Sequence, residues 1–234
     1  MMLRGDVVVG KLFFIVVVVS LPIVFLLCAV LKKAAVAFLL GVLAFVSSQM
    51  LIRIPLLQLV AEQSNTYQFL AITKPILILL LLCLSAGVME EFARWIMMRA
   101  FLKKQTIQQG VFFGLGHGGI EAILIVGIPV MLHLHLVSSS DFWFSGVERL
   151  FAITIHVCLS LIVLIGVSRK QFRYVMGTIA VHTGINFTCA YVATIQSPLV
   201  VELTLTILTC LLLVLTIQLG RRKFKNEKDN GYFM

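Results

Sequence analysis

The chain of 234 residues is 60% hydrophobic and only 12% charged, with a mean hydropathy of +1.07. A soluble domain of that size cannot hide so much apolar surface, and the apolar runs are continuous rather than alternating, which excludes a β-barrel. The net charge of +9 does not mark a nucleic-acid binder, because Lys and Arg sit in short connectors and in the tail "RRKFKNEK" with no soluble domain around them.

The composition therefore specifies an all-α polytopic transmembrane helix bundle. In chain order, seven spans are expected at about 12–31, 34–57, 75–99, 107–132, 147–168, 174–195 and 199–219. The first run continues to Val30, ends in Lys32 and Lys33 and lacks a small-residue cleavage site, so it reads as a span and not as a signal peptide. The connectors alternate in charge. Lys32 and Lys33 follow the first span, Arg99, Lys103 and Lys104 the third, and Arg169, Lys170 and Arg173 the fifth, while "AEQSNTYQF", "SSSDFWFS" and "QSP" fill the other side. Basic connectors stay in the cytoplasm, which puts the N-terminus outside and a charged, disordered tail after Leu219 inside. The five cysteines (Cys28, Cys83, Cys158, Cys189 and Cys210) fall in apolar runs without metal-ligand spacing and read as small buried hydrophobes.

Against this background the polar residues within spans three to six stand out. "LCLSAGVMEEFARWIMMRAFL" carries Glu90, Glu91 and Arg94; "GLGHGGIE" carries His117 and Glu121; "ERLFAITIHVCLS" carries Glu148, Arg149, His156 and Ser160; "HTGIN" carries His182 and Asn186. A charge at mid-bilayer costs roughly 2.5–3.5 kcal/mol on insertion scales, so such residues face a bundle interior and call for a structural or chemical reason. Glu90 with Arg94, His117 with Glu121, His156 with Ser160 and His182 with Asn186 are all i,i+4 pairs, each sharing one helix face. Depth aligns them too. Glu90, His117, His156 and Asn186 each lie thirteen residues from a basic flank, at Lys103, Lys104, Arg169 and Arg173 respectively. They therefore form one layer facing one cavity, with spans one and seven outside it. Glu91 neutralises Arg94 at i,i+3, which leaves Glu90 free. Phe113 reads as packing, His133 and His135 as facing water, Glu148 and Arg149 as structural, and Gly114, Gly116, Gly118 and Gly119 as points of close helix approach.

"EEFAR", "FGLGH" and "HTGIN" in that order resemble the EExxR, FxxxH and HxxxN motifs of the CAAX-processing endopeptidase superfamily. "ERLFAITIH" and "GHGGIE" are most similar to its YhfC-type bacterial branch of intramembrane metalloproteases, related in turn to the PrsW-type proteases and the APH-1 subunit of γ-secretase. The resemblance covers about residues 72–196. It implies two N-terminal spans (1–70), a four-helix catalytic core (71–196), and a last span with a basic cytoplasmic tail (197–234). It also implies hydrolysis of a membrane protein or lipidated peptide, in a bacterial cell membrane and without nucleic acid. Glu90 corresponds to the water-activating carboxylate, Glu91 and Arg94 to its supporting pair, and His117, His182 and Asn186 to the remaining site residues. His156 matches the nearer branches only, and Glu121 and Arg149 are supporting.

Two mechanisms stay open. Glu90 can act as a general base with Asn186 and an imidazole, His117 or His182, on the oxyanion. Alternatively, Glu90, His117 and His182 bind a divalent metal such as zinc, although no HExxH pair lies on one helix. Two other classes compete, an APH-1-like scaffold and a proton-coupled transporter; the lack of an internal repeat or of a broken helix pair weighs against transport.

Overall fold

The structure, a computed structural model, describes residues 2–229, with side chains over 8–221. It is helical throughout. We number the helices α1 (Val8–Leu31), α2 (Ala35–Gln63), α3 (Asn65–Thr73), α4 (Pro75–Phe101), α5 (Ile107–Leu132), α6 (Ser139–Ser168), α7 (Arg173–Ile195) and α8, whose apolar part is Pro198–Arg221. Among the described residues, six of these are long and apolar enough to cross a membrane: α1, α2, α4, α5, α6 and α8. The expected sixth span, α7, has 23 residues but carries His182, Asn186 and several threonines, so its length suits a span and its apolarity falls short.

Two further expectations need correction. The neutral connector after the second span is not a loop: α2 extends to Gln63, and α3 follows at once with Ser64 as its N-cap, accepting from the Tyr67 N–H. The segment after Leu219 is helical as well, since α8 runs on to Asp229. The tail's basic side chains from Arg222 onward lie outside the described side chains.

The basic connectors gather at one end. The Gln108 amide donates to the Lys32 carbonyl at 2.5 Å, which ties the start of α5 to the α1–α2 turn. Trp95 of α4 packs edge-on against Phe172 just before α7. Two of the turns there share one chemistry. At Lys33 and Lys170, φ is 55° and 54°, and the next residue's N–H reaches back to a carbonyl five positions earlier, Ala34 to Ala29 and Gln171 to Gly166. This is the Schellman closure, with lysine where glycine is preferred. At the opposite end Phe13 of α1 stacks on Trp143 of α6 at 4.6 Å, and Ser138 and Asp141 form a capping box that starts α6.

The core is built around α5. A side chain at Gly114 would run into the backbone of α6 at Val157, and one at Gly116 into the Phe38 carbonyl of α2, so the two glycines let α5 lie directly against both neighbours. Near the basic end the interior is apolar, with Met98, Leu102, Phe113, Val163 and Val175 among its buried members. Outward-facing leucines and valines on α1, α2, α4 and α8 remain exposed, as lipid contact requires. Cys28 and Cys210 belong to that outer surface rather than to the core; Cys83 and Cys158 are buried and Cys189 is half-buried.

A buried carboxylate and histidine centre

Midway along the bundle the packing turns polar. Glu90, Glu91, Arg94, His117, Arg149, His156, Ser160 and His182 are all buried, and Glu91, Arg94, His117 and Ser160 are fully so. They come from α4, α5, α6 and α7, the four helices whose i,i+4 pairs the sequence placed at one depth.

The two adjacent carboxylates of α4 point into different networks. Glu91 Oε2 lies 3.2 Å from Arg94 Nε, and Glu91 Oε1 lies 2.9 Å from His182 Nδ1. Arg94 also donates to the His156 carbonyl at 2.8 Å and to the Ser160 hydroxyl, and its Nη2 is 3.1 Å from His156 Nδ1. Glu90 faces the other way. Its Oε2 is 3.0 Å from His117 Nε2 and 3.9 Å from His182 Nε2, and its Oε1 accepts from the Gln49 amide of α2 at 2.7 Å. No Arg or Lys lies within ion-pair distance of it among the described residues.

A second carboxylate closes the group. Glu121 Oε2 is 2.5 Å from His156 Nε2, and Glu121 Oε1 is 3.1 Å from Arg149 Nη1, whose other amine holds Glu148 at 2.5 Å. The rings of His117, His156 and His182 stand in a row, with centroids 4.7 and 5.5 Å apart.

Hydrogen-bond logic assigns the tautomers. A guanidinium only donates, so His156 Nδ1 accepts from Arg94 and His156 Nε2 carries the proton given to Glu121. Glu91, paired with Arg94, accepts from His182 Nδ1–H, which leaves the His182 Nε2 lone pair facing Glu90. A carboxylate behind a histidine is how metal-ligating imidazoles are commonly oriented.

A cavity of about 780 Å³ opens onto this centre, with Glu90, Glu121, His156, His182 and Asn186 in its wall. It runs between α6, α7 and α8 to Asp141 and Gln196, at the end away from the basic turns. The sequence reading is thus extended in two places. α8 lines the cavity through Val201, Glu202 and Leu205, and α2 reaches the centre through Gln49. Asn186 lines the wall with no hydrogen bond to another described residue. Arg149 is drawn into the centre by Glu121 instead of serving only Glu148, while His133 and His135 are exposed as expected. Gln49 and Arg53 escaped the sequence reading, although an arginine inside an apolar span was the available signal.

A family model described as YhfC intramembrane metalloprotease matches residues 13–141 and 128–205 of the chain. The chain belongs to the YhfC intramembrane metalloprotease family. Its similarity to the membrane protein YhfC of Bacillus subtilis (strain 168) is 32% identity over 136 residues, covering 44% of this chain and 53% of that protein. The match thus spans about half of the relative's length. No solved structure matches the chain.

Proposed function

We propose that this chain hydrolyses peptide bonds of membrane-embedded substrates, membrane proteins or lipidated peptides, with the attacking water activated at Glu90. The observation that carries the reading is the convergence of Glu90, His117 and His182 from three helices, with Glu90 and His182 in the wall of a cavity large enough for a peptide segment. Glu90 is preferred over Glu121 as the base because its partners are the neutral Gln49 and the imidazole of His117, whereas Glu121 is tied to Arg149. A carboxylate already neutralised by a guanidinium is the poorer proton acceptor. Asn186, half-buried in the same wall, is free to donate its amide to the developing oxyanion.

A second reading has a specific observation behind it. Glu90, His117, Glu121 and His156 each offer a ligand atom within 4.8 Å of the others, a donor set suited to zinc. The Arg94 contact commits His156 Nε2 to a proton, so such an ion would be held by Glu90 and His117 of that set together with His182. His182 stands outside the set, with its Nε2 3.9 Å from Glu90 Oε2 and Glu91 behind it. When bound, the ion would lower the pKa of a water toward ~7.

The orientation we propose has the N-terminus outside and the C-terminus in the cytoplasm, so the cavity opens on the external side. Reporter fusions at Ser139 and Asn226 should then report opposite compartments; the same compartment for both would refute it. The apolar packing between the centre and the basic end speaks for a one-sided cavity over a transport path.

The test of function is cleavage of transmembrane reporter peptides in proteoliposomes, with zinc content read on the same samples. Cleavage by the wild type and its loss in Glu90→Gln and His182→Ala are expected. A wild-type protein that cleaves none of the peptides, or variants that cleave as it does, would favour a scaffold.

A further inference from the structure

The chain of contacts behind Glu90 continues into a helix outside the four-helix centre. Over Val46–Arg53, α2 is wound as a π-helix, with the Ile54 N–H reaching back five residues to the Gln49 carbonyl. Such a widened turn inside a longer helix recurs at functional sites. It turns Gln49 and Arg53 toward α4, while its buried Ser48 donates back to the Ala44 carbonyl of its own helix. Gln49 is only 3% exposed, and its Nε2 donates to Glu90 Oε1 at 2.7 Å. Arg53, half-buried, donates from Nη1 to Gln49 Oε1 at 2.9 Å, from Nε to the Ser85 hydroxyl at 2.9 Å and from Nη2 to the Leu82 carbonyl at 2.7 Å.

The order of these bonds is chemically determined. Arginine has no acceptor, so the amide end facing Arg53 must be the oxygen, and the end facing Glu90 must be the NH₂ group. Without Arg53 the Gln49 amide would be free to flip and present its oxygen to the carboxylate. Two contacts anchor the guanidinium to α4 itself, at Leu82 and Ser85, eight and five residues before Glu90. The Glu90 carboxylate is thereby held from both sides, with Oε1 on Gln49 and Oε2 left to His117 and His182.

We infer that Gln49, locked in one amide orientation by Arg53, is a positioning residue that aims the reactive oxygen of Glu90. This rests on Glu90 being the water-activating carboxylate. A purely structural role is the weaker account. The Gln49 bond is spent on the one intramembrane carboxylate of α4 that borders the cavity, whereas Glu91 is served by Arg94 and His182.

The experiment uses the full chain in proteoliposomes as wild type, Gln49→Met, Arg53→Met and the double variant, each with a melting curve. Gln49→Met keeps the side-chain length and removes the donor. Two signals are read: the Glu90 carboxyl band, isolated by infrared difference against Glu90→Gln, and the kcat and KM for a transmembrane reporter peptide. Gln49→Met should shift the Glu90 band and lower kcat about 10–100-fold, the usual cost of losing an outer-shell partner, with KM nearly unchanged. Arg53→Met should act in the same direction and less strongly. Because Arg53 works through Gln49, the double variant should be no worse than Gln49→Met alone. An unshifted Glu90 band, or a well-folded Gln49→Met with wild-type kcat beside an inactive Glu90→Gln, would overturn the inference and leave the hydrolytic reading standing. Full additivity of the two losses would overturn the role given to Arg53. If the wild type cleaves nothing, the hydrolytic reading fails and the positioning role falls with it, whatever the infrared band does.

Discussion

Glu90 and Glu91 are neighbours in the chain and occupy different chemical worlds. Glu91 sits in a closed network with Arg94, His182, His156 and Ser160, fully buried. Glu90 borders a cavity and has a neutral amide and an imidazole as its near partners. The difference follows from helix geometry, because adjacent residues point about 100° apart around the axis. One faces the seam with α6 and α7, and the other faces the space between helices. A carboxylate paired with a buried guanidinium holds helices together; one whose partners are an amide and an imidazole beside a cavity is available for chemistry. If this comparison is right, variants on the two sides should fail in different ways.

The largest stability loss should come from the closed side. Glu91→Gln removes the counter-charge of a fully buried guanidinium, and breaking a buried ion pair costs about 3–5 kcal/mol. Its detergent-solubilised yield and melting temperature should fall sharply. A Glu91→Gln protein that melts like the wild type would erase the distinction between the two carboxylates.

A smaller loss should come from the helix seam that aligns the two networks. Gly116→Leu would drive a side chain into the α2 backbone at Phe38, costing about 1–3 kcal/mol as an overpacked contact. Because α2 also carries Gln49, cleavage should decline further than the melting shift alone accounts for. Loss of stability with cleavage per folded molecule intact would show that α2 is a passive wall.

The smallest effect should be at the lipid face. Cys210 is exposed on α8 and touches neither network, so Cys210→Ser should change stability by no more than about 0.5 kcal/mol and leave cleavage unaltered. A large effect there would mean that α8 does more than line the cavity.

Most of this comparison was legible before the structure. The apolar runs located the helices, the basic connectors identified one end of the bundle, and i,i+4 spacing put Glu90, His117, Glu121, His156, His182 and Asn186 on inward faces. Local periodicity carries that much. The pairing between helices was not legible, since nothing in one helix states which imidazole on another it will meet. The bonds of His182 to Glu91 and of His156 to Glu121 depend on how α4 to α7 are rotated and staggered. Gln49 and Arg53 were hidden for a second reason. They lie in a π-helical stretch of a span whose remaining residues are almost entirely apolar, and their purpose appears only once Glu90 is opposite. The helix at Asn65–Thr73 was missed because its polar composition has the look of a loop, whereas Ser64 caps it as a helix.

The central claim is that Glu90 performs the chemistry while Glu91 supports the fold, and Glu90→Gln tests it most directly. Its melting curve and its cleavage of a transmembrane reporter peptide should be measured in the same proteoliposomes beside the wild type. An amide is cheaper to bury than a carboxylate, so the variant should melt at or near the wild-type temperature. Removal of the general base should lower turnover by about 10²–10⁴-fold. A Glu90→Gln protein that melts like the wild type and still cleaves at the wild-type rate would contradict the account.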